Sequence, residues 1–372
     1  MSHHPDSRFK TYIQAIGRGQ KSGRSLTQTE AFDAMSMILR GKVSSLQIGA
    51  FLMLLRVREE TSEEIAGFTQ ACRDHLTYPD MLFENAWENS IDIACYAGKR
   101  RQLPWFLLAV ALLVEQGKKV FMHGSDEPDT NRLYISRVLE ELDLSTNMQE
   151  VSMSNAKQTI AVNGFCYMDL HSIHPELNQL IQLRSELGLR SCANTLARLI
   201  NPSRAKFSIQ GVHHLHVDQK HMSVAKRLND NNVLCFRGEG GEPEINPAKD
   251  TELMVYRNNQ DQHTSSILKA KQSWQIKPKR LDCDELLTLW QTKEEADVCR
   301  INTNETYDNK NYSNQSSYGL LAVITTLASY YQLIYKIEHA EALEKARSTW
   351  LNRNPNKLFN QLIHNKRLQA VK

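Results

Sequence analysis

Three consecutive cations, Lys99-Arg100-Arg101, directly follow the segment Ile91-Asp92-Ile93-Ala94-Cys95-Tyr96-Ala97-Gly98. Ammonium and guanidinium groups bind phosphate through charge-assisted hydrogen bonds. A basic run at the carboxyl end of a strand is therefore a candidate phosphate contact, because ligands of open α/β sheets bind there. No acid occurs from Tyr96 to Val114. A second basic stretch contains Arg190, Arg198, Arg204, Lys206, Lys220, Lys226 and Arg227, with Asp218 as its one acid. A third places Lys269, Lys271, Lys277, Lys279 and Arg280 around Trp274. Arg8, Lys10, Arg18, Lys21 and Arg24 lie between Asp6 and Glu30 with no acid among them. Carboxylates concentrate elsewhere, at 59–64, 126–150 and 284–308, so a chain of net charge +3 can still carry a basic face. Such a face attracts nucleic-acid phosphates, and Tyr96, Trp105 or Trp274 could stack bases if exposed. Trp105, between Pro104 and Phe106, reads better as core.

Two further clusters carry less. His213-His214-Leu215-His216 has no acidic or cysteine partner nearby, and no metal is expected. The run Arg237-Gly238-Glu239-Gly240-Gly241-Glu242-Pro243 reads as a turn, since its glutamates would repel phosphate.

The elements that must position these groups are legible from periodicity and punctuation. Residues 27–77 read as helical. Thr27 with Glu30 and Thr61 with Glu64 form capping-box patterns. Ile48, Phe51, Leu52 and Leu55 fall on one helical face, and Gly41 is a plausible stop. From about residue 90, Ile91–Ile93, Val120–Met122 and Val233–Phe236 read as buried strands separated by helices. That pattern implies an α/β fold with a mainly parallel sheet covered on both faces. Leu103 to Val114 is apolar but too short to span a bilayer. Residues 258–280 read as a polar loop or hairpin region. A small all-helical domain is expected over 1–77, joined by helices from about 172–190, with a larger α/β domain over 78–372. No secretory signal is visible, and the seven scattered cysteines suit a reducing compartment. A cytoplasmic protein with no membrane contact is the expectation.

Several segments resemble the anthranilate phosphoribosyltransferase family, of the glycosyltransferase family 3 and nucleoside phosphorylase superfamily. They are Gln47–Arg56 with Glu63–Phe68, Ser185–Arg190 through Asn201-Pro202, Gln210–His213, and Ser317–Leu320 with the helix after it. The resemblance runs from about residue 8 to 360. It implies a homodimer through the helical domain and a cleft for phosphoribosyl pyrophosphate with magnesium. Yet the family's Gly-Thr-Gly-Gly-Asp loop falls on Cys95, Tyr96, Ala97, Gly98 and Lys99, keeping only Gly98. Its Asn-Ile-Ser-Thr motif falls on Pro104, Trp105, Phe106 and Leu107. Its Lys-His-Gly-Asn motif becomes Met122, His123, Gly124 and Ser125. Its metal-binding Asp-Glu pair becomes Pro243-Glu244.

The chain is similar in this respect to the YbiB-like branch, which keeps the fold and binds nucleic acid without sequence preference. The expected function is thus non-catalytic, sequence-independent binding of DNA or RNA. Lys99, Arg100, Arg101, Arg190, Arg204, Lys206, Lys269 and Lys271 are the candidate contacts, with no cofactor. The alternative is a transferase of altered chemistry acting on a phosphorylated sugar or nucleotide, with His123 or Arg190 orienting the acceptor.

Overall fold

The computed structural model describes residues 7–19, 22–76, 89–127, 130–144, 156–258, 260, 262–270, 280–292, 315–359 and 361–362. The chain opens with four helices, α1 (Phe9–Gly17), α2 (Gln28–Leu39), α3 (Ser45–Arg58) and α4 (Ser62–Asp74). Thr27 and Thr61 cap α2 and α4 in reciprocal boxes with Glu30 and Glu64. Ser44 with Gln47 forms a third box at α3 that the sequence reading passed over. Each box satisfies N–H groups that a helix start leaves without partners.

The remainder is built on a seven-stranded sheet in the order β3-β2-β1-β4-β5-β6-β7. The strands are β1 (Ile91–Cys95), β2 (Val120–Gly124), β3 (Phe165–Asp169), β4 (Phe207–Val212), β5 (Asn232–Arg237), β6 (Thr251–Arg257) and β7 (Thr264–Leu268). The first five pair in parallel, while β6 and β7 run antiparallel as an edge hairpin. A small helical domain thus accompanies a larger α/β domain with a mostly parallel sheet.

Alternation along β1 decides what covers each face. Ile91, Ile93 and Cys95 join a core with α5 (Phe106–Glu115) and the later helices Gln315–Tyr335 and His339–Leu351. Ala94 and Tyr96 face the opposite way, into a core shared with α1 to α4 and the helices of residues 170–199. α5 is apolar around its whole circumference, and Phe106 to Val114 are all buried, as befits a core helix. Among the described residues, no single helix is long and apolar enough to cross a membrane.

Arg73 of α4 ties the helical bundle to the sheet. Its guanidinium grips Asp230 at 2.6 and 3.0 Å and donates to the Leu199 carbonyl. A planar fork facing a carboxylate fixes orientation as well as distance.

Candidate functional site

The carboxyl ends of β1, β4 and β5 converge on a cavity of about 420 Å³. Its floor is the turn after β1, which bends at Gly98 with φ +66°. A side chain there would start 2.8 Å from the Tyr134 ring, so this position suits glycine on two counts. Arg132 clamps the turn from above, donating to the Ala97 and Gly98 carbonyls at 2.7 and 3.1 Å. Lys99 adds a two-way backbone bridge with Leu133.

The turn's N–H groups point at a carboxylate of the chain itself. Glu242 Oε1 accepts from Ala97 N–H at 2.8 Å and from Gly98 N–H at 2.6 Å. Glu242 is 2% exposed. Its loop reaches this position because Gly211 lets it pass: a Cβ on Gly211 would meet the Glu242 carbonyl carbon at 2.2 Å. Burial pushes the Glu242 carboxyl up, opposed by Arg198, the two N–H groups and Lys99.

Lys99 does not reach the cavity as a free cation. It is 1% exposed and pairs with Glu244 Oε1 at 2.7 Å. Glu244 Oε2 accepts Phe106 N–H at 2.9 Å, at the amino end of α5, where the helix dipole favours an anion. Burial raises the Glu244 carboxyl to about 7, against the pull of Lys99. Both oxygens of Glu244 are therefore engaged, with an ammonium beside them. These residues do not fit a magnesium ion, which takes oxygen ligands and keeps cations at a distance.

The remaining candidates separate. Arg100 and Arg101 are exposed at the cavity mouth, joined by Arg132, His213, Arg237 and Lys249. Arg190 is held by Glu127, at 3.0 Å through Nε and 2.8 Å through Nη2, and Arg184 binds the same carboxylate. Burial alone would raise Glu127, but Arg190, Arg184 and Arg132 outweigh it and hold the carboxyl below its ordinary range. Lys269 is exposed and pairs with Asp250 at 2.8 Å. Arg204 and Lys206 precede β4, at the far end of the sheet from Arg100. Among the described residues, Arg204 and Lys206 thus lie apart from the cleft mouth, whereas Arg190 acts on Arg132 and His213 and Lys269 pairs with the lining residue Asp250. Lys271 and Trp274 lie outside the described residues.

Among the described residues, Tyr96 is not available for stacking, and Trp105 is core as its neighbours suggested. Tyr96 is 2% exposed, and its hydroxyl meets His123 Nδ1 at 2.6 Å. His123 Nε2 in turn lies 3.2 Å from Asp92 Oδ1, inside the sheet. Trp105 is fully buried, and Gly319 packs against its indole. Gly124 lets β2 lie close to the Cys95 carbonyl, which a Cβ would approach to 2.4 Å. Sequence reasoning missed Glu242, Glu127, Arg132, Arg237 and Lys249. Glu242 had a signal, since it sits in a glycine-rich turn after a strand.

Comparison with known proteins gives this geometry its lineage. Residues 10–76 match the helical bundle domain of the glycosyl transferase family, and residues 135–331 match that family's a/b domain. The chain belongs to this family. Within the family, it is 30% identical over 237 residues to the anthranilate phosphoribosyltransferase of Geobacillus stearothermophilus, covering 63% of this chain and 67% of that one. It is 27% identical over 241 residues to an uncharacterized protein of Aquifex aeolicus strain VF5, covering 64% and 70%. The fold matches anthranilate phosphoribosyltransferase from Thermus thermophilus with a TM-score of 0.67 at 19% identity, over 92% of this chain and 94% of that chain. It matches the Saccharomyces cerevisiae enzyme in complex with PRPP and Mg with a TM-score of 0.65 at 18% identity, over 93% and 94%.

Proposed function

We propose that this member of the phosphoribosyltransferase-like family is not a transferase but binds DNA or RNA, without sequence preference, at the mouth of the old cleft. The observation that carries the reading is Glu242 seated on the Ala97 and Gly98 N–H groups. A diphosphate needs those donors, and an internal carboxylate already holds them. Glu244, which the resemblance aligns with the family's metal-binding pair, is likewise already satisfied by Lys99.

What remains accessible is positive. Arg100, Arg101, Arg132, Arg237 and Lys249 ring the mouth, beside His213, whose imidazole is held below its ordinary pKa by burial and neighbouring cations. Of the two acids in the same wall, Asp250 pairs with Lys269 and Glu239 accepts Asn246 Nδ2. Such a ring suits successive backbone phosphates, which carry no sequence information.

Self-association through the helical domain is part of the proposal. Leu46, Ala50, Met53 and Val57 repeat along the outer side of α3 at spacings of four, three and four. Leu46 is 84% exposed and Val57 82%. A helix apolar on both sides needs a second partner.

The test pairs two measurements on the full chain. Calorimetric titration with phosphoribosyl pyrophosphate and magnesium should give no binding heat. Anisotropy of labelled single-stranded DNA, duplex DNA and RNA should give tight binding that weakens steeply with salt. The reverse pair of results would replace this reading with the altered transferase.

A further inference from the structure

A second cavity, of about 710 Å³, opens at the opposite end of the sheet. β5 joins the two: Arg237 at its carboxyl end lines the cleft mouth, and Asn232 at its amino end lines the far cavity. At about 3.3 Å per residue, the two openings are roughly 17 Å apart along that strand.

The far cavity is lined by Arg204, Lys206, Arg257 and Lys336, with the side-chain amides of Asn232 and Asn258 nearby. Among the described residues, no carboxylate lines it. The neighbouring acid, Asp230, is already held by both nitrogens of Arg73. Arg257 is the informative group. It is half-buried, and its guanidinium donates to Asn232 Oδ1 at 3.2 Å and to the Leu333 and Gln332 carbonyls at 3.0 Å each. All three acceptors are neutral. Burial lowers the guanidinium's proton affinity. A half-buried cation without a counter-ion is costly unless an anion arrives from outside. Asn232 fixes the guanidinium from the other side, since its Nδ2 donates to the Lys206 carbonyl. Lys206 and Lys336 are exposed at the rim, where their ammonium groups can close over a ligand.

We infer that this cavity is a second phosphate-binding site, independent of the cleft mouth, taking a phosphate group held between Arg257 and the rim lysines. A nucleic-acid backbone or a free phosphate compound could supply that group. The inference does not rest on the proposed function, because none of its residues borders the cleft.

The experiment uses the full chain with Arg100→Glu and Arg101→Glu, so that the cleft mouth is disabled. Inorganic tripolyphosphate is titrated by calorimetry and a labelled eight-nucleotide DNA by anisotropy. Then Lys206→Glu and Lys336→Glu are added, with circular dichroism melting to verify the fold. Binding of either probe in the first protein, reduced at least tenfold in the second, supports the site. Binding of both identifies the nucleic-acid backbone as a source, whereas tripolyphosphate alone identifies a free phosphate compound. Absence of binding for both probes in the first protein, or binding unchanged by the lysine substitutions, overturns it. Charge-neutral Lys206→Gln with Lys336→Gln should give an intermediate loss. If the glutamate protein unfolds, this variant decides the outcome.

Discussion

Lys99 and Glu244 face each other at 2.7 Å with side chains 2% and 0% exposed. In a basic run of three, the first residue thus points inward and is neutralised, while Arg100 and Arg101 face water. Removing Lys99 leaves a buried carboxylate beside a helix start with no ammonium partner. Because burial already holds the Glu244 carboxyl at about 7 beside Lys99, it should take up a proton when Lys99 is removed, and Lys99→Ala should cost about 1–3 kcal/mol, the loss of a buried hydrogen-bond partner. Arg100→Ala with Arg101→Ala should leave the melting curve nearly unchanged. Denaturant melts of both variants read this contrast directly.

Glu242 satisfies two backbone donors, Ala97 N–H and Gly98 N–H, with a single buried oxygen. Glu242→Ala should orphan both and cost about 1–3 kcal/mol for each buried donor left unpaired. Glu242→Gln keeps an acceptor oxygen for Ala97 and Gly98 and should cost less. Equal losses for the two variants in urea melts would show that these hydrogen bonds do not hold the turn.

Stability should fall on mild acidification through His221. This ring is fully buried, with Nδ1 2.8 Å from Gln210 Oε1, and burial holds its pKa at about 3, below the ordinary 6.5. Between those values the unfolded chain binds a proton that the folded chain refuses. The contribution is thus fully present above pH 6.5 and is lost as pH falls toward 3. Thermal melts from about pH 7 to about pH 4 should show a declining midpoint, and His221→Gln should flatten part of that slope. A slope identical in the variant would assign the acid sensitivity elsewhere.

The outer stripe of α3 makes a separate prediction about assembly. Leu46→Asp with Val57→Asp places charge on two side chains that are already 84% and 82% exposed. The monomer fold should survive, while light scattering should show the variant at half the mass of the parent chain, the parent being the proposed dimer. A parent chain that is already monomeric would remove the dimer from the account.

Much of the fold was legible because local rules and packing agreed. Thr27 and Thr61 mark helix starts by hydrogen bonds made within one turn, and the apolar runs at Ile91 and Val120 have no other way to be buried. The site was less legible because its decisive contacts are long-range. Glu242 meets Ala97 across 145 positions of chain, and no spacing rule connects them. Its glutamate was read as hostile to phosphate, which remains sound. What the sequence could not disclose is that this glutamate is seated on the Ala97 and Gly98 N–H groups. Lys99 was likewise indistinguishable from Arg100 by type. The difference is the direction each takes out of a turn pinned by Gly98 and Arg132. Arg204 and Arg100 read as one basic character in the chain, yet the parallel sheet sends them to opposite ends.

The central claim is that cations at the cleft mouth bind nucleic-acid phosphates. The most direct test is the salt dependence of duplex DNA binding, measured by anisotropy for the parent chain and for Arg100→Ala/Arg101→Ala/Arg237→Ala. Each lost phosphate contact should lower the log–log slope by about 0.9. The account predicts weaker binding and a slope reduced by about 2 to 3. An unchanged affinity and an unchanged slope would contradict it.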